Sequence, residues 1–324
     1  MTKMKLGAII KENASFEFQN RQDYKGRNAV CVFVGAMSGI GAKVLERLLM
    51  ASYHSAVFYV LWNSSKSSTM YRKRVFDALL NRGCKLIYVE ADDTRIADID
   101  IATNQILAAE DQVDYLCMSK NIEESTVMSE GVQTETVVSY ASRMRLISNL
   151  LPLLGRSQHP RVLNVLNHGV KTTNGDYEGQ EAIMQYTGVM TNLAFNHLAT
   201  ENPHITFVMS PLGFDKAGSS QNTDAAVNKG VLLKAWHSIP DKCRNVSERV
   251  FGSKVDKILE RHVYYLTGYC HEPGAFHVDK RGDMVPNARP SEEEDKNRPE
   301  EAWEFAEKEW QLALATKVAN HSSL

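Results

Sequence analysis

The chain is expected to fold as an α/β protein with a doubly wound parallel sheet covered by helices on both faces. Three observations carry that expectation. Apolar runs of strand length alternate with longer stretches whose apolar residues recur at three and four spacing. The runs are continuous rather than alternating, as in strands buried on both faces and joined by right-handed crossovers. The first run, Cys31-Val-Phe-Val34, ends in Gly35-Ala-Met-Ser-Gly39-Ile-Gly41 and opens into the helical pattern Ala42-Lys-Val-Leu-Glu-Arg-Leu-Leu-Met50, the start of a nucleotide-binding βαβ unit.

In chain order, residues 1–27 are a polar lead-in expected to drape over the domain, and residues 28–324 form one domain. Strands are predicted at Ala29–Val34, Ala56–Leu61, Lys85–Glu90, Val113–Met118, Arg161–Leu166 and Ile205–Met209. Helices are predicted between them at Gly41–Ala51, Ser67–Arg82, Ile96–Glu110, Glu135–Leu154 and Met184–Glu201. The stretch from about 211 to 250, rich in Gly, Ser, Asn and Asp, follows the sixth strand and suits a substrate lid, because ligands of such sheets bind outside the carboxyl ends of the strands. Lys254–Arg261 is followed by one last predicted strand, Gly274–Asp279. A solvated charge block, Ser291–Glu301, then leads into the amphipathic helix Ala302–Lys317. Trp303, Phe305, Ala306, Trp310 and Leu314 mostly share one face of that helix, a stripe that suits core packing or a dimer contact.

Composition narrows the function class. The 324 residues are 43% hydrophobic with a formal net charge of −2, so a large core is affordable and a polyanion-binding surface is not expected. No apolar run approaches the roughly 20 residues that span a bilayer, and the start of the chain is too weakly apolar for a secretory leader. The five cysteines stand singly, with no metal-ligand spacing, and read as buried thiols in a reducing compartment. A cytoplasmic protein without nucleic-acid, membrane or metal partners is therefore expected.

The glycine turn has a physical logic. Gly35 permits the tight turn, Gly39 lets backbone N–H groups approach a pyrophosphate, Gly41 allows close helix–strand packing, and the positive helix end faces the phosphates. With Glu90-Ala-Asp-Asp93, Ser142–Leu154, Pro160–Leu166 and Leu198–Val208, this turn makes the chain resemble the short-chain dehydrogenase/reductase superfamily, in particular its divergent fungal members, over roughly residues 28–315. The resemblance implies a Rossmann-like fold with NADP(H) or NAD(H), or an emptied cofactor site. It puts Gly35, Ser38, Gly39, Ile40 and Gly41 at the phosphates, Asp92 at the adenine, Asn63 at the end of the second strand, Ser119 after the fourth and Gly213 after the sixth. Cofactor preference is undeclared, since neither Arg nor Asp occupies Leu61-Trp-Asn63-Ser-Ser-Lys66.

On the catalytic side the chain departs from that pattern. The serine expected to polarise a substrate carbonyl falls at Leu166 or Asn167. Of the Tyr-x-x-x-Lys pair, Tyr186 remains while Met190 takes the place of lysine, and a thioether carries no charge and relays no proton. His168, at the cleft rim, has a suitable side chain for acid–base work at neutral pH. Asn167, Tyr186 and Tyr177 complete the candidates. Arg143 and Arg145 point to different faces of their helix, one suited to a salt bridge and the other to the cleft. Three readings stay open: an NAD(P)H-dependent carbonyl reductase or dehydrogenase for a hydrophobic small molecule in fungal secondary metabolism; a cyclase, isomerase or rearrangement enzyme reusing the cleft; and a catalytically silent binding subunit. The resemblance further implies a homodimer through the helices flanking the fifth strand.

Overall fold

The computed structural model describes residues 5–14, 27–51, 56–63, 67–81, 83–119, 132–166, 179–212, 254–268, 272–287 and 298–321. Asn167, His168, Tyr177, Gly213 and nearly all of the expected lid lie outside these residues. Apolar runs and helical stretches alternate as β1 (Ala29–Val34), α2 (Gly39–Ala51), β2 (Ala56–Trp62), α3 (Ser67–Leu79), β3 (Lys85–Glu90), α4 (Ile96–Ala109) and β4 (Tyr115–Met118). They continue as α5 (Val132–Leu154), β5 (Arg161–Leu166), α6 (Gly179–Glu201), β6 (Thr206–Pro211), α7 (Lys254–Thr267) and β7 (Gly274–Val278), and end in α8 (Arg298–His321). The eight strands form one sheet in the order β3-β2-β1-β4-β5-β6-β7-β8, parallel throughout except for the β7–β8 pair. Sequence order reverses on the two sides of β1, which opens a crevice between the ends of β1 and β4.

Two cores hold the sheet. Cys31, Phe33, Phe58 and Val60 face α2, α3 and α7, while Val32, Val34, Leu116, Val162 and Phe207 face α4, α5, α6 and α8. Every residue of β1 and β5 is buried, which explains the continuous apolar sequence of β1 and leaves Arg161 and Asn164 of β5 as buried polar groups. Edge strand β3 instead exposes Lys85 and Glu90, charges that discourage pairing with another chain.

Two elements add to the predicted set. Helix α1 (Leu6–Ala14) lies within the lead-in. A helix of nine residues is marginal by itself and is held by tertiary contacts, so local pattern does not mark it. Ile9 is buried, and the Asn13 amide donates to the Glu260 carbonyl at 2.7 Å and to its carboxylate at 2.6 Å. Strand β8 (Met284–Pro286) has three residues, too few for a periodic signal. Its turn is organised by Asp279, whose carboxylate accepts from the Arg281 and Asp283 N–H groups at 2.8 and 2.9 Å.

The amino ends of the strands are tied at buried Asp114. Its carboxylate accepts two bonds from Arg27 at 2.8 and 2.9 Å, one from Val30 N–H at 2.9 Å, one from Gln112 at 3.0 Å and one from the Ser157 hydroxyl at 2.6 Å. Helix α8 lies on α5 and α6 with Ala302, Ala306 and Trp310 buried at a spacing of four. Tyr140 donates to the Ala302 carbonyl at 2.7 Å and stacks on Phe305, and Trp303 stacks on His197. The apolar stripe of this helix thus covers the helices flanking β5 within the same chain. Among the described residues no helix is long and apolar enough to cross a membrane, and no group of three or more potential metal ligands occurs.

Candidate active site

The candidate cofactor residues line the carboxyl edge of the sheet in strand order. From β3 to β6 the edge reads Asp92, Asn63, Gly35–Gly41, Ser119, Leu166 and Leu212. Each lies at or just beyond the end of its strand, so topology alone gathers residues drawn from most of the chain.

The glycine turn is the best-defined part. Gly35 and Gly39 adopt φ of 75° and 58°, left-handed values that β-carbon-bearing residues rarely take. The chain therefore reverses within a few residues and enters α2 at Gly39, leaving the first N–H groups of the helix directed at the crevice. Ala42 N–H closes the first helical turn on the Ser38 carbonyl at 3.2 Å, Ser38 is exposed and Ile40 is buried in the core. A β-carbon on Gly41 would lie 1.8 Å from Ser119 Oγ, 2.9 Å from Ser119 Cβ and 3.3 Å from the Gly35 carbonyl oxygen. Ser119 fills that space: its hydroxyl donates to the Gly35 carbonyl at 3.4 Å and its N–H to the Val34 carbonyl at 3.0 Å. The end of β4 is thus packed directly against the phosphate turn. Gly35, Gly41 and Ser119 form one contact group.

At the other end of the crevice, Ala91 N–H donates to the Trp62 carbonyl at 2.9 Å, which sets Asn63 beside the start of the Asp92 turn. Asp92 Oδ1 accepts from Thr94 N–H at 3.0 Å and from its hydroxyl at 2.6 Å, so one carboxylate oxygen organises the entry to α4. Lys73 Nζ lies 5.4 Å from the Trp62 ring centre and 4.7 Å from that of Tyr88, a cation clamped on the aromatic pair at the end of β2.

The catalytic side is less complete. Leu166 is buried and packs in the core, so a carbonyl-polarising hydroxyl is absent at that strand end. Tyr186 lies on α6 with its side chain 47% exposed, and Met190, one turn on, packs partly buried against the same core. The two arginines of α5 divide their tasks. Arg145 pairs with Asp100 at 2.7 and 3.0 Å and covers the Trp310 ring, whereas Arg143 is buried and its pKa is lowered to about 10 by burial, opposed by the charge of Asp93. Cys117, beneath the crevice, is inert as a nucleophile because burial pushes its thiol up to about 12.

Nothing in the sequence marks Ser210 or His262. The first precedes a proline at the end of β6 and the second sits in an amphipathic helix, and the two are separated by 52 residues. The fold brings Ser210 Oγ to 3.1 Å from His262 Nε2, with His262 Nδ1 2.8 Å from the Ile258 carbonyl oxygen.

The fold is shared with short-chain dehydrogenases/reductases of known structure, and the sequence relatives include fungal proteins named as oxidoreductases. An oxidoreductase of Emericella nidulans is 28% identical over 276 residues, covering 82% of this chain and 77% of that protein. Oxidoreductase lepF of Aspergillus flavus is 28% identical over 212 residues, and oxidoreductase andH of Emericella variicolor 31% over 193. These last two matches span 58% and 55% of the relative's length, little more than half. Among solved structures, Pseudomonas aeruginosa RhlG in its NADP complex superposes with a TM-score of 0.52 at 18% identity, covering 80% of this chain and 98% of that one. A short-chain dehydrogenase/reductase of Mycobacterium ulcerans gives 0.53 at 14%, covering 79% and 90%. No protein-family model matches the chain.

Proposed function

We propose that the protein is an NAD(P)H-dependent oxidoreductase that reduces or oxidises a carbonyl centre of a hydrophobic small molecule in fungal secondary metabolism. The observation that carries this reading is the cradle at Gly41. A β-carbon there would strike Ser119, so glycine is what allows the close helix–strand packing that brings the start of α2 to the crevice, an arrangement that suits a bound pyrophosphate better than a relic. The relatives named as oxidoreductases support the same reaction class.

When bound, the nicotinamide supplies or accepts the hydride. The first N–H groups of α2 and the turn Gly35–Gly41 hold the phosphates, while Asn63 and Asp92 hold the adenosine end. Ser119 keeps β4 against the turn and so fixes the floor of the nicotinamide side. The substrate oxygen would gain or lose a proton through Tyr186 or His168, with Asn167 donating a hydrogen bond to that oxygen and Tyr177 as a further donor. With Leu166 and Met190 at the positions of the usual serine and lysine, the proton step is slower than in relatives that keep both.

Those same two residues favour a second reading. Leu166 is built into the apolar core and Met190 packs partly buried against it, an arrangement that suits a cyclase or isomerase needing shape and proton placement but no hydride.

Calorimetric titration with NADPH, NADP⁺, NADH and NAD⁺ separates these readings. Micromolar binding to the wild type, abolished by Gly39→Trp in a folded variant, supports the redox reading. A folded, nucleotide-free wild type that binds none of the four removes it.

A further inference from the structure

We propose that Ser210 and His262 are positioning residues for the nicotinamide end of the cleft, an inference that rests on the dinucleotide reading above. The ends of β5 and β6 border that part of the crevice. Val165 pairs with Ser210 and Leu166 with Pro211, and the final rung is the Leu212 N–H donating to the Leu166 carbonyl at 2.7 Å. Pro211, whose nitrogen faces β7 rather than β5, has no N–H to give, and the β6–β7 pairing ends before it at Met209 with His277.

A buried side-chain pair holds the strand there instead. The Ile258 carbonyl can only accept, so His262 Nδ1 carries the proton and Nε2 is an acceptor. The Ser210 hydroxyl then lies between two acceptors, Nε2 at 3.1 Å and the Pro211 carbonyl at 3.2 Å. Both residues are completely buried. The His262 ring is edge-on to Tyr265 at 5.6 Å, in a layer otherwise built from Val208, Val263, Tyr264 and Leu266. An aliphatic pair would fill this space without the desolvation cost of a hydroxyl and an imidazole, and the pair specifies what an aliphatic contact would leave loose. Through Ser210, α7 sets the position of Pro211 and Leu212 at the cleft.

The consequence is selective. Adenosine 5′-monophosphate needs only the turn Gly35–Gly41 and the Asn63/Asp92 end, whereas a nicotinamide dinucleotide also reaches the ends of β5 and β6. His262→Phe, and the milder Ser210→Ala, should weaken the dinucleotide that the wild type binds by about tenfold, the loss of one well-placed hydrogen bond. Affinity for adenosine 5′-monophosphate should stay at the wild-type value. His262→Gln, whose amide oxygen can accept from Ser210, should restore most of the dinucleotide affinity. Titration of folded variants reads all of these. Unchanged dinucleotide affinity in both disruptive variants, equal weakening of the two nucleotides, or no recovery in His262→Gln would overturn the positioning role while leaving the redox reading intact. A wild type that binds the monophosphate but no dinucleotide would instead remove the redox reading, and the positioning role with it.

Discussion

Replacing Gly41 by alanine tests the cradle on which the functional reading depends, because its sign is set by one contact. Inside a helix, glycine to alanine alone should stabilise by about 0.5–1 kcal/mol, since glycine loses more backbone entropy on folding. Here the new methyl would sit 1.8 Å from Ser119 Oγ and 2.9 Å from Ser119 Cβ. Rotating the serine side chain removes the first contact but not the second, because Cβ is fixed by the backbone. The turn or the end of β4 must therefore move, at an overpacking cost of about 1–3 kcal/mol that outweighs the helical gain. Gly41→Ala should lower the urea midpoint at unchanged m-value and weaken dinucleotide binding by about tenfold or more. Adding Ser119→Gly removes both offending atoms, and the next nearest, the Gly35 carbonyl oxygen, is at 3.3 Å. The double variant should regain affinity, with a coupling of about 1 kcal/mol or more between the sites. Gly41→Ala as stable as the wild type, or a double variant no better than the single one, would refute the argument.

Two further predictions concern buried polar groups. Asn164 lies in β5 between Met118 and Met209 of the adjacent strands, and among the described residues neither its amide oxygen nor its nitrogen has a hydrogen-bond partner. Asn164→Leu should raise the urea midpoint by the equivalent of about 1–3 kcal/mol, and a fall would mean that an internal water satisfies the amide. Burial lowers the His262 pKa from 6.5 to about 4. As pH falls below 6.5 the unfolded chain takes up a proton that the folded one refuses, so stability is lost progressively down to pH 4, by about 3 kcal/mol in all. The difference in unfolding free energy between wild type and His262→Phe, followed from pH 7 to 4, should carry this slope, and parallel curves would remove His262 as its source.

The sequence made the sheet legible because its strands are buried on both faces. Runs such as Ala29–Val34 and Ala56–Leu61 are unbroken apolar stretches of strand length with no polar residue at helical spacing, and the glycines that follow the first run have φ values that favour glycine. What stayed hidden depends on contacts between distant segments. Helix α1 is fixed by the bonds of Asn13 to Glu260, 247 residues away, and β8 by pairing to β7. The place of Asp92 and Ser119 at the carboxyl edge was readable because each lies just beyond a strand, and strand order then brings them to one edge. The Ser210–His262 pair was not, since neither residue carries a local signature and only the packing of α7 on β6 joins them.

The same reasoning bears on how a divergent site keeps its ligand while changing its chemistry. The glycines proposed for the phosphates are backbone-determined: a side chain at Gly35 or Gly39 would be strained by the left-handed φ, and one at Gly41 would strike Ser119. Residues that move protons are side-chain-determined and sit where a hydrophobic replacement is free to join the core, as Leu166 and Met190 have done. Losing the relay therefore costs no stability, and burying two more apolar side chains adds to it at about 25 cal/mol per Å². Retention of the turn thus bears on nucleotide binding and says little about turnover, so rate measurements on Tyr186 and His168 variants carry the catalytic question. If Tyr186→Phe leaves the single-turnover rate with saturating cofactor unchanged, the proton path runs through residues after β5 or through solvent, and Met190 marks a relay that has been rerouted rather than weakened.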